Sequence, residues 1–176
     1  MKFKAFLTQD DVNLLDKHFL PSLDKIERVC HLYLTRDHAI FLHNLLGGDG
    51  VQSVAQFKKE VLFHDYRISS QNDDHIAFAI GIALLHQALC NAQTIQLQSQ
   101  DDIVAIQIKL VKKLPIESLN PTSFLMFETK GVKSAVVQDV PTSKPLSRAD
   151  FMQLQTALDS AHDLPISFQD RRSTYL

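Results

Sequence analysis

The sequence is poor in cysteine, in long apolar runs and in excess charge of one sign. Its two cysteines, Cys30 and Cys90, each lie in an apolar run, so we expect buried, reduced thiols and exclude a disulfide framework. No apolar run approaches the roughly 18 residues of a transmembrane helix, and the stretch after Met1 is too short for a signal peptide. The formal net charge of −2 gives no whole-chain attraction to nucleic acid or to anionic membranes.

Glycine is scarce as well, and the motifs of catalytic sites are missing from the sequence. A glycine cluster at Gly47–Gly50 is not followed by Gly-Lys-Ser/Thr, which excludes a phosphate-binding loop. One short stretch, Asp73-Asp74-His75, gathers two carboxylates and an imidazole. Consecutive strand residues point to opposite faces, and Asn and Asp favour turns, so a turn is the preferred interpretation. A small metal-dependent hydrolase using Asp73, Asp74 and His75 remains the alternative.

What the sequence does have is a repeated order of elements. With 176 residues and 45% apolar residues, it can form one domain with a sizeable core. Thr8 and Asp11 form a candidate capping box, and apolar residues follow at steps of 3, 4, 4 and 3 up to Ile26, which predicts a helix over Gln9–Arg28. Pro21 predicts a kink near Leu20.

Alternating or continuous apolar runs predict the strands, and helical spacing over Ile82–Ala92 predicts a second helix. The predicted strands are Lys2–Leu7, Cys30–Thr35, His38–Asn44, Val51–Lys59, Tyr66–Ser70, His75–Ile80, Val104–Lys112, Ser123–Lys130 and Ser134–Val140. The stretch Gln93–Asp102 is ambiguous between strand and loop. The order is strand, helix, three strands, and roughly the same again. It favours an α+β domain over residues 1–144, with both helices on one face of a sheet.

Five stretches occur in order within about Met1 to Leu164: MKFKAFL, HLYLTRDHAIFLHN, FHDYRISSQNDDHIAFAI, AIQIKLVKKLP and FETKGVKSAVVQDVPTSKPLSR. Together they resemble the Hus-one subunit family of the nine-one-one checkpoint clamp, in its plant-like form. The resemblance implies a DNA sliding-clamp (processivity-factor-like) fold and a non-catalytic subunit without cofactor or metal. A full clamp subunit has two such domains. The resemblance therefore also implies that this chain is truncated to the N-terminal clamp domain, at 1–144, with an inter-domain connector and a weakly ordered tail at 145–176.

The resemblance further implies the partners: the other two checkpoint clamp subunits (Rad-nine and Rad-one type), a clamp loader, and double-stranded DNA only within an assembled ring. DNA damage signalling and repair in the nucleus is the implied role, with the cytoplasm as a further compartment and no membrane. The expected partner-binding edge strand is Ser134, Ala135, Val136, Val137, Gln138, Asp139 and Val140. The expected DNA-facing residues are Lys17, Lys25, Arg28 and His86.

DNA contact should be weak, because acidic residues outnumber the cations of the first helix. A stand-alone binding domain with no DNA role is the other alternative.

Overall fold

The computed structural model describes residues 1–44, 52–98, 105–114, 120–130 and 135–162, which form nine strands and five α-helices. The strands are β1 (Lys2–Leu7), β2 (Val29–Leu34), β3 (His38–His43), β4 (Ser53–Lys58), β5 (His64–Ser69), β6 (Ile76–Gly81), β7 (Ile106–Lys113), β8 (Thr122–Lys130) and β9 (Ala135–Pro141). The helices are α1 (Gln9–Asn13), α2 (Leu20–Asp24), α3 (Lys59–Leu62), α4 (Ile82–Gln98) and α5 (Arg148–His162), and a π-helical segment (Leu14–Phe19) joins α1 to α2.

The strands form two antiparallel sheets, one in the order β5-β1-β7-β8-β9 and the other in the order β4-β3-β2-β6. The two strand–helix–three-strand units, β1 to β4 and β6 to β9, exchange their first strands. Strand β1 pairs with β7 of the second unit, and β6 pairs with β2 of the first. Each sheet therefore contains strands from both units, so neither unit can form its sheet alone.

The first helical stretch, residues 9–24, changes geometry twice. It starts with a capping box, in which Thr8 Oγ1 accepts from Asp11 N and Asp11 Oδ2 accepts from Thr8 N at 2.7 Å. The predicted disturbance near Leu20 is present, but it is the π-helical segment before Leu20, while Pro21 fits the first turn of α2. The predicted end at Arg28 is wrong, because α2 ends at Asp24 and Ile26, which continues the apolar spacing, is 42% exposed.

The 9–24 stretch and α4 lie side by side over the sheets and share one core with them. That core takes alternate residues from both sheets, such as Leu32, Phe78 and Phe127, and packs them against Leu15 and Leu89 of the helices. Helix α4 runs six residues beyond the predicted Ala92, which places Gln93–Gln98 of the ambiguous stretch in a helix.

The opposite face of the four-stranded sheet carries a second, smaller core, which α5 covers. Tyr33, Ile40 and Leu42 of the sheet pack against Leu154 and Leu158 of α5. The Tyr33 hydroxyl also donates to Gln155 Oε1 at 2.8 Å. One sheet thus has helices on both faces, the 9–24 stretch and α4 on one side and α5 on the other.

The chain between β9 and α5 closes the free edge of β6. Thr142 forms an isolated antiparallel bridge with Ile80, and Ser143 N donates to Ala79 O at 2.9 Å. Leu146 N donates to Ala77 O at 2.8 Å. Residues 142–146, called the edge strap below, link the two sheets where β9 ends.

Candidate functional site

Strand β9 is the end strand of the five-stranded sheet, and it contains most of the predicted partner-binding edge. On one side it pairs with β8, from Lys130↔Ala135 to Phe124↔Pro141. Ser134, the first residue of the predicted edge, lies outside the described residues. An end strand presents backbone donors and acceptors that another strand can bind, so β9 is a geometric candidate for strand addition.

The two faces of β9 differ. Gln138 is turned towards α4, where its Nε2 donates to Ala88 O at 3.3 Å and its Oε1 accepts from Asn91 Nδ2 at 3.0 Å. Val140 is buried in the main core. Val137 is 50% exposed, and Asp139 is exposed beside it. The exposed face of β9 therefore offers an apolar side chain that an added strand could cover.

Two lysines of β7 pair with carboxylates of β8 and β9. Lys113 forms an ion pair with Asp139 of β9, and Lys109 Nζ lies 3.2 Å from Glu128 Oε2 of β8. These pairs neutralise charge beside Val137. The region around the candidate edge is consequently less charged than its residue types suggest.

The predicted DNA-facing residues lie in four different settings. Lys17 belongs to the π-helical segment, Lys25 is the C-cap of α2, and Arg28 directly precedes β2; all three are exposed. Lys17 is the only Lys or Arg within 9–24, which also contains Asp10, Asp11, Asp16 and Asp24. Helix α4 contains no Lys, Arg, Asp or Glu.

His86, the fourth predicted DNA-facing residue, contacts a carboxylate. Its Nε2 lies 2.7 Å from Asp16 Oδ1, and its side chain is 37% exposed. The imidazole is therefore partly exposed to solvent and partly packed at the interface of α4 with the π-helical segment. This contact competes with any role in binding phosphate.

The turn predicted at Asp73-Asp74 is present. Both residues have a left-handed backbone, with φ of 51° and 61°. Asp74 Oδ1 accepts from Ser70 N at 3.0 Å, and its Oδ2 accepts from Arg36 Nε at 3.0 Å. The hydrogen bond from the Ser70 N–H, and to a smaller extent the one from Arg36, hold the pKa of Asp74 below its ordinary value. Asp74 is thus engaged as an ionised turn residue.

Asp73 and His75 have different surroundings from Asp74. They line an open pocket of about 560 Å³ between α5 and the face of the four-stranded sheet that α5 covers, called the outer sheet face. The His75 ring lies 5.8 Å from the Tyr33 ring and 5.5 Å from the Phe151 ring, centroid to centroid. His75 Nδ1 is 3.0 Å from Asn72 O, so packing and a backbone contact account for this imidazole.

A cluster that the sequence interpretation overlooked joins the two main helices. Cys90 Sγ donates to Asp16 Oδ1 at 2.9 Å, and the same carboxylate oxygen contacts His86. Burial, with a smaller contribution from the Asp16 carboxylate, raises the pKa of the Cys90 thiol to about 11. The spacing His86-x-x-x-Cys90 on a helix would have indicated that these two side chains share a face. The sequence does not indicate that Asp16 joins them, because the direction of its side chain depends on the π-helical segment.

Comparison with known proteins gives one family. A family model described as Hus1-like protein matches residues 1–175 of the 176-residue chain. No curated protein matches the sequence significantly. Within the described residues, no helix is long and apolar enough to cross a membrane.

Proposed function

Because the chain belongs to the Hus1-like family, that of a checkpoint clamp subunit in the DNA damage response, we propose that it is a non-catalytic subunit of a heterotrimeric clamp. In this proposal the chain assembles with two other clamp subunits, of Rad-nine and Rad-one type, and serves DNA damage signalling and repair in the nucleus, including double-strand break repair and meiosis. A clamp loader would place the ring on DNA. Residues 1–144 would be the clamp domain and 145–176 the connector and tail.

The observation that carries the proposal is the end strand β9 in a fold of the clamp family. An end strand suits the contact between clamp subunits, because strand pairing gives affinity through backbone hydrogen bonds. Strand β9 leaves one edge without a strand partner among the described residues, and Val137 is exposed on it. An arriving strand would gain both backbone bonds and apolar contact.

The same proposal assigns DNA binding to the assembled ring and only weakly to this subunit. Residues 9–24 contain one cationic residue, Lys17, and four aspartates, and α4 contains no Lys, Arg, Asp or Glu. Affinity for phosphates comes from cations that release counterions. A ring that encloses DNA needs little affinity from each subunit, so the neutral to acidic helices suit a clamp that retains DNA by enclosure.

The test is binding of the full chain to each of the other two clamp subunits. Val137→Asp places a charge where the partner strand would bury a valine, and we expect binding to weaken at least about tenfold, which corresponds to about 1.4 kcal/mol. Val61→Asp is the matched control, because Val61 of α3 is 48% exposed and lies outside β9.

Circular dichroism of both variants checks that each is folded. The proposal fails if neither clamp subunit binds the wild-type chain. Equal binding by wild type and Val137→Asp would retain a clamp partner but move the interface away from β9.

A further inference from the structure

Three side chains of different chemistry meet where the π-helical segment packs on α4. Asp16, His86 and Cys90 offer a carboxylate oxygen, an imidazole nitrogen and a thiol sulfur, all within 4.8 Å of one another. Among the described residues they are the one group of three or more such side chains close enough to share an ion. We propose that Asp16, His86 and Cys90 form a zinc site that links the first helical stretch to α4.

The ligand types fit zinc better than other common metals. Zinc takes thiolate, imidazole and carboxylate ligands together, whereas calcium and magnesium prefer oxygen ligands alone. Thiolate and carboxylate each supply one negative charge, so a site with neutral His86 balances the charge of Zn²⁺. The His86 side chain is 37% exposed, so water can reach the cluster and supply a fourth ligand.

The two distances from the Asp16 carboxylate require only a small expansion. Tetrahedral zinc with bonds of about 2.0 to 2.3 Å separates its ligand atoms by about 3.4 Å. Asp16 Oδ1 now lies 2.7 Å from His86 Nε2 and 2.9 Å from Cys90 Sγ. These are hydrogen-bond distances, so zinc would take the place of the bridging protons and move the ligands apart by about half an ångström. The Cys90 thiol loses its proton to solvent as its sulfur binds zinc, and no electron is transferred.

The backbone supports the same assignment independently. A π-helical turn is rare and often occurs at functional sites, because it redirects side chains from the ordinary helical rows. Asp16 is in the middle of the Leu14–Phe19 segment, and its side chain is 12% exposed. His86 and Cys90 are one turn apart on α4, where two ligands of one ion can share a face. A second contact between the helices, Gln93 Nε2 donating to Asn13 Oδ1 at 2.8 Å, flanks the cluster.

Cobalt substitution tests the site directly, because cobalt bound to a thiolate gives a charge-transfer absorption in the near ultraviolet. We expect this band when Co²⁺ is added to the reduced, full-length chain, and its loss when Zn²⁺ displaces the cobalt. Cys90→Ser retains a hydroxyl that can donate to Asp16 and should abolish the band. His86→Gln and Asp16→Asn should weaken binding at least about tenfold, the lower end of the effect of losing a supporting group around a metal.

The matched control is His64→Gln. His64 Nε2 lies 3.4 Å from Asp11 Oδ2, so this pair also joins an imidazole to a carboxylate, and the control variant should bind cobalt like the wild type. Absence of the band in the wild-type chain, or its persistence in Cys90→Ser, would overturn the proposal. A measurement on the wild type alone covers the case of a variant that does not fold: bound Zn²⁺ should slow alkylation of Cys90 at least about tenfold, and an unchanged rate contradicts the site.

Discussion

At the scale of single residues, His43 links folding to pH. It is fully buried on β3, with its Nδ1 2.7 Å from Ser53 Oγ. Burial lowers the pKa of His43 from its ordinary value of 6.5. The folded state therefore favours the neutral ring, while the unfolded chain takes up a proton as the pH falls through 6.5. This stability is present above pH 6.5 and is lost as the pH decreases below it.

We expect His43→Gln to flatten this pH dependence. Chemical denaturation at pH 7.5 and pH 5 measures the unfolding free energy; the difference between the two values should be smaller in the variant than in the wild type. His18→Gln is the control, since His18 is exposed. His31 is also partly buried with a lowered pKa, so some pH dependence should remain. A variant with the full wild-type dependence would contradict the assignment to His43.

The backbone at Asp73 allows a second test at this scale. A φ of 51° suits Asn or Gly and disfavours a β-branched residue. We expect Asp73→Gly to leave the unfolding free energy within about 0.5 kcal/mol and Asp73→Val to lower it by about 1 to 2 kcal/mol. Thermal or urea unfolding measures both. Equal losses in the two variants would mean that the Asp73 carboxylate, and not the backbone, matters here.

At the scale of elements, the sequence predicted the existence of strands better than their partners. Alternation identified β4 and β7, because each has one face in the main core and one face towards solvent. The exchange of β1 and β6 between the two units depends on contacts far apart in sequence, which no local pattern encodes. The short helix α3 was missed for a different reason: its four residues are too few to show a helical period.

The predicted C-terminal ends of the two helices were wrong in opposite directions: the first was placed too late and the second too early. The apolar spacing of the first helix continues to Ile26, but the helix ends at Asp24, because the residues beyond it no longer face the core. Helix α4 passes through a glutamine-rich stretch, since glutamine has good helix propensity and neither Gly nor Pro interrupts it before Gln98. In the candidate site, β9 was predictable from its apolar run, whereas the cluster of Asp16, His86 and Cys90 was not recognised.

The docking of α5 gives the prediction for this scale. Leu154 is fully buried against the outer sheet face, so Leu154→Ala should remove contacts worth about 2 to 5 kcal/mol. Amide exchange should show lower protection in α5, with α4 much less affected. Met152→Ala is the control, because Met152 on the same helix is 58% exposed. Equal loss of protection in α4 and α5 would instead show that α5 unfolds only with the whole domain.

At the scale of the whole molecule, net charge sets the expected behaviour with DNA. The chain carries −2, and its two main helices offer one lysine against four aspartates. Non-specific DNA-binding proteins have dissociation constants of about 10⁻⁴ to 10⁻⁶ M at physiological salt. We expect this chain alone to bind at the weak end of that range or beyond it.

Titration of duplex DNA at low and moderate salt measures this affinity. Lys17→Gln should change it little, since one phosphate contact contributes a salt slope of only about 0.9. Tight binding that weakens steeply with salt would place a basic surface elsewhere on the chain. It would also remove the argument that enclosure, and not affinity, retains DNA.

The edge strap determines how the chain responds to mechanical load. Tension applied at the end of α5 acts first on the contacts that dock α5 on the four-stranded sheet. It then reaches residues 142–146, where the backbone is held to β6 by the bonds from Ser143 to Ala79 and from Leu146 to Ala77. Those few bonds must break before the load reaches β9, which pairs with β8 over its full length. In an optical trap, with handles at the N-terminus and just after α5, the chain should therefore lengthen by a short step at low force. The rupture of the sheets should follow at a higher force.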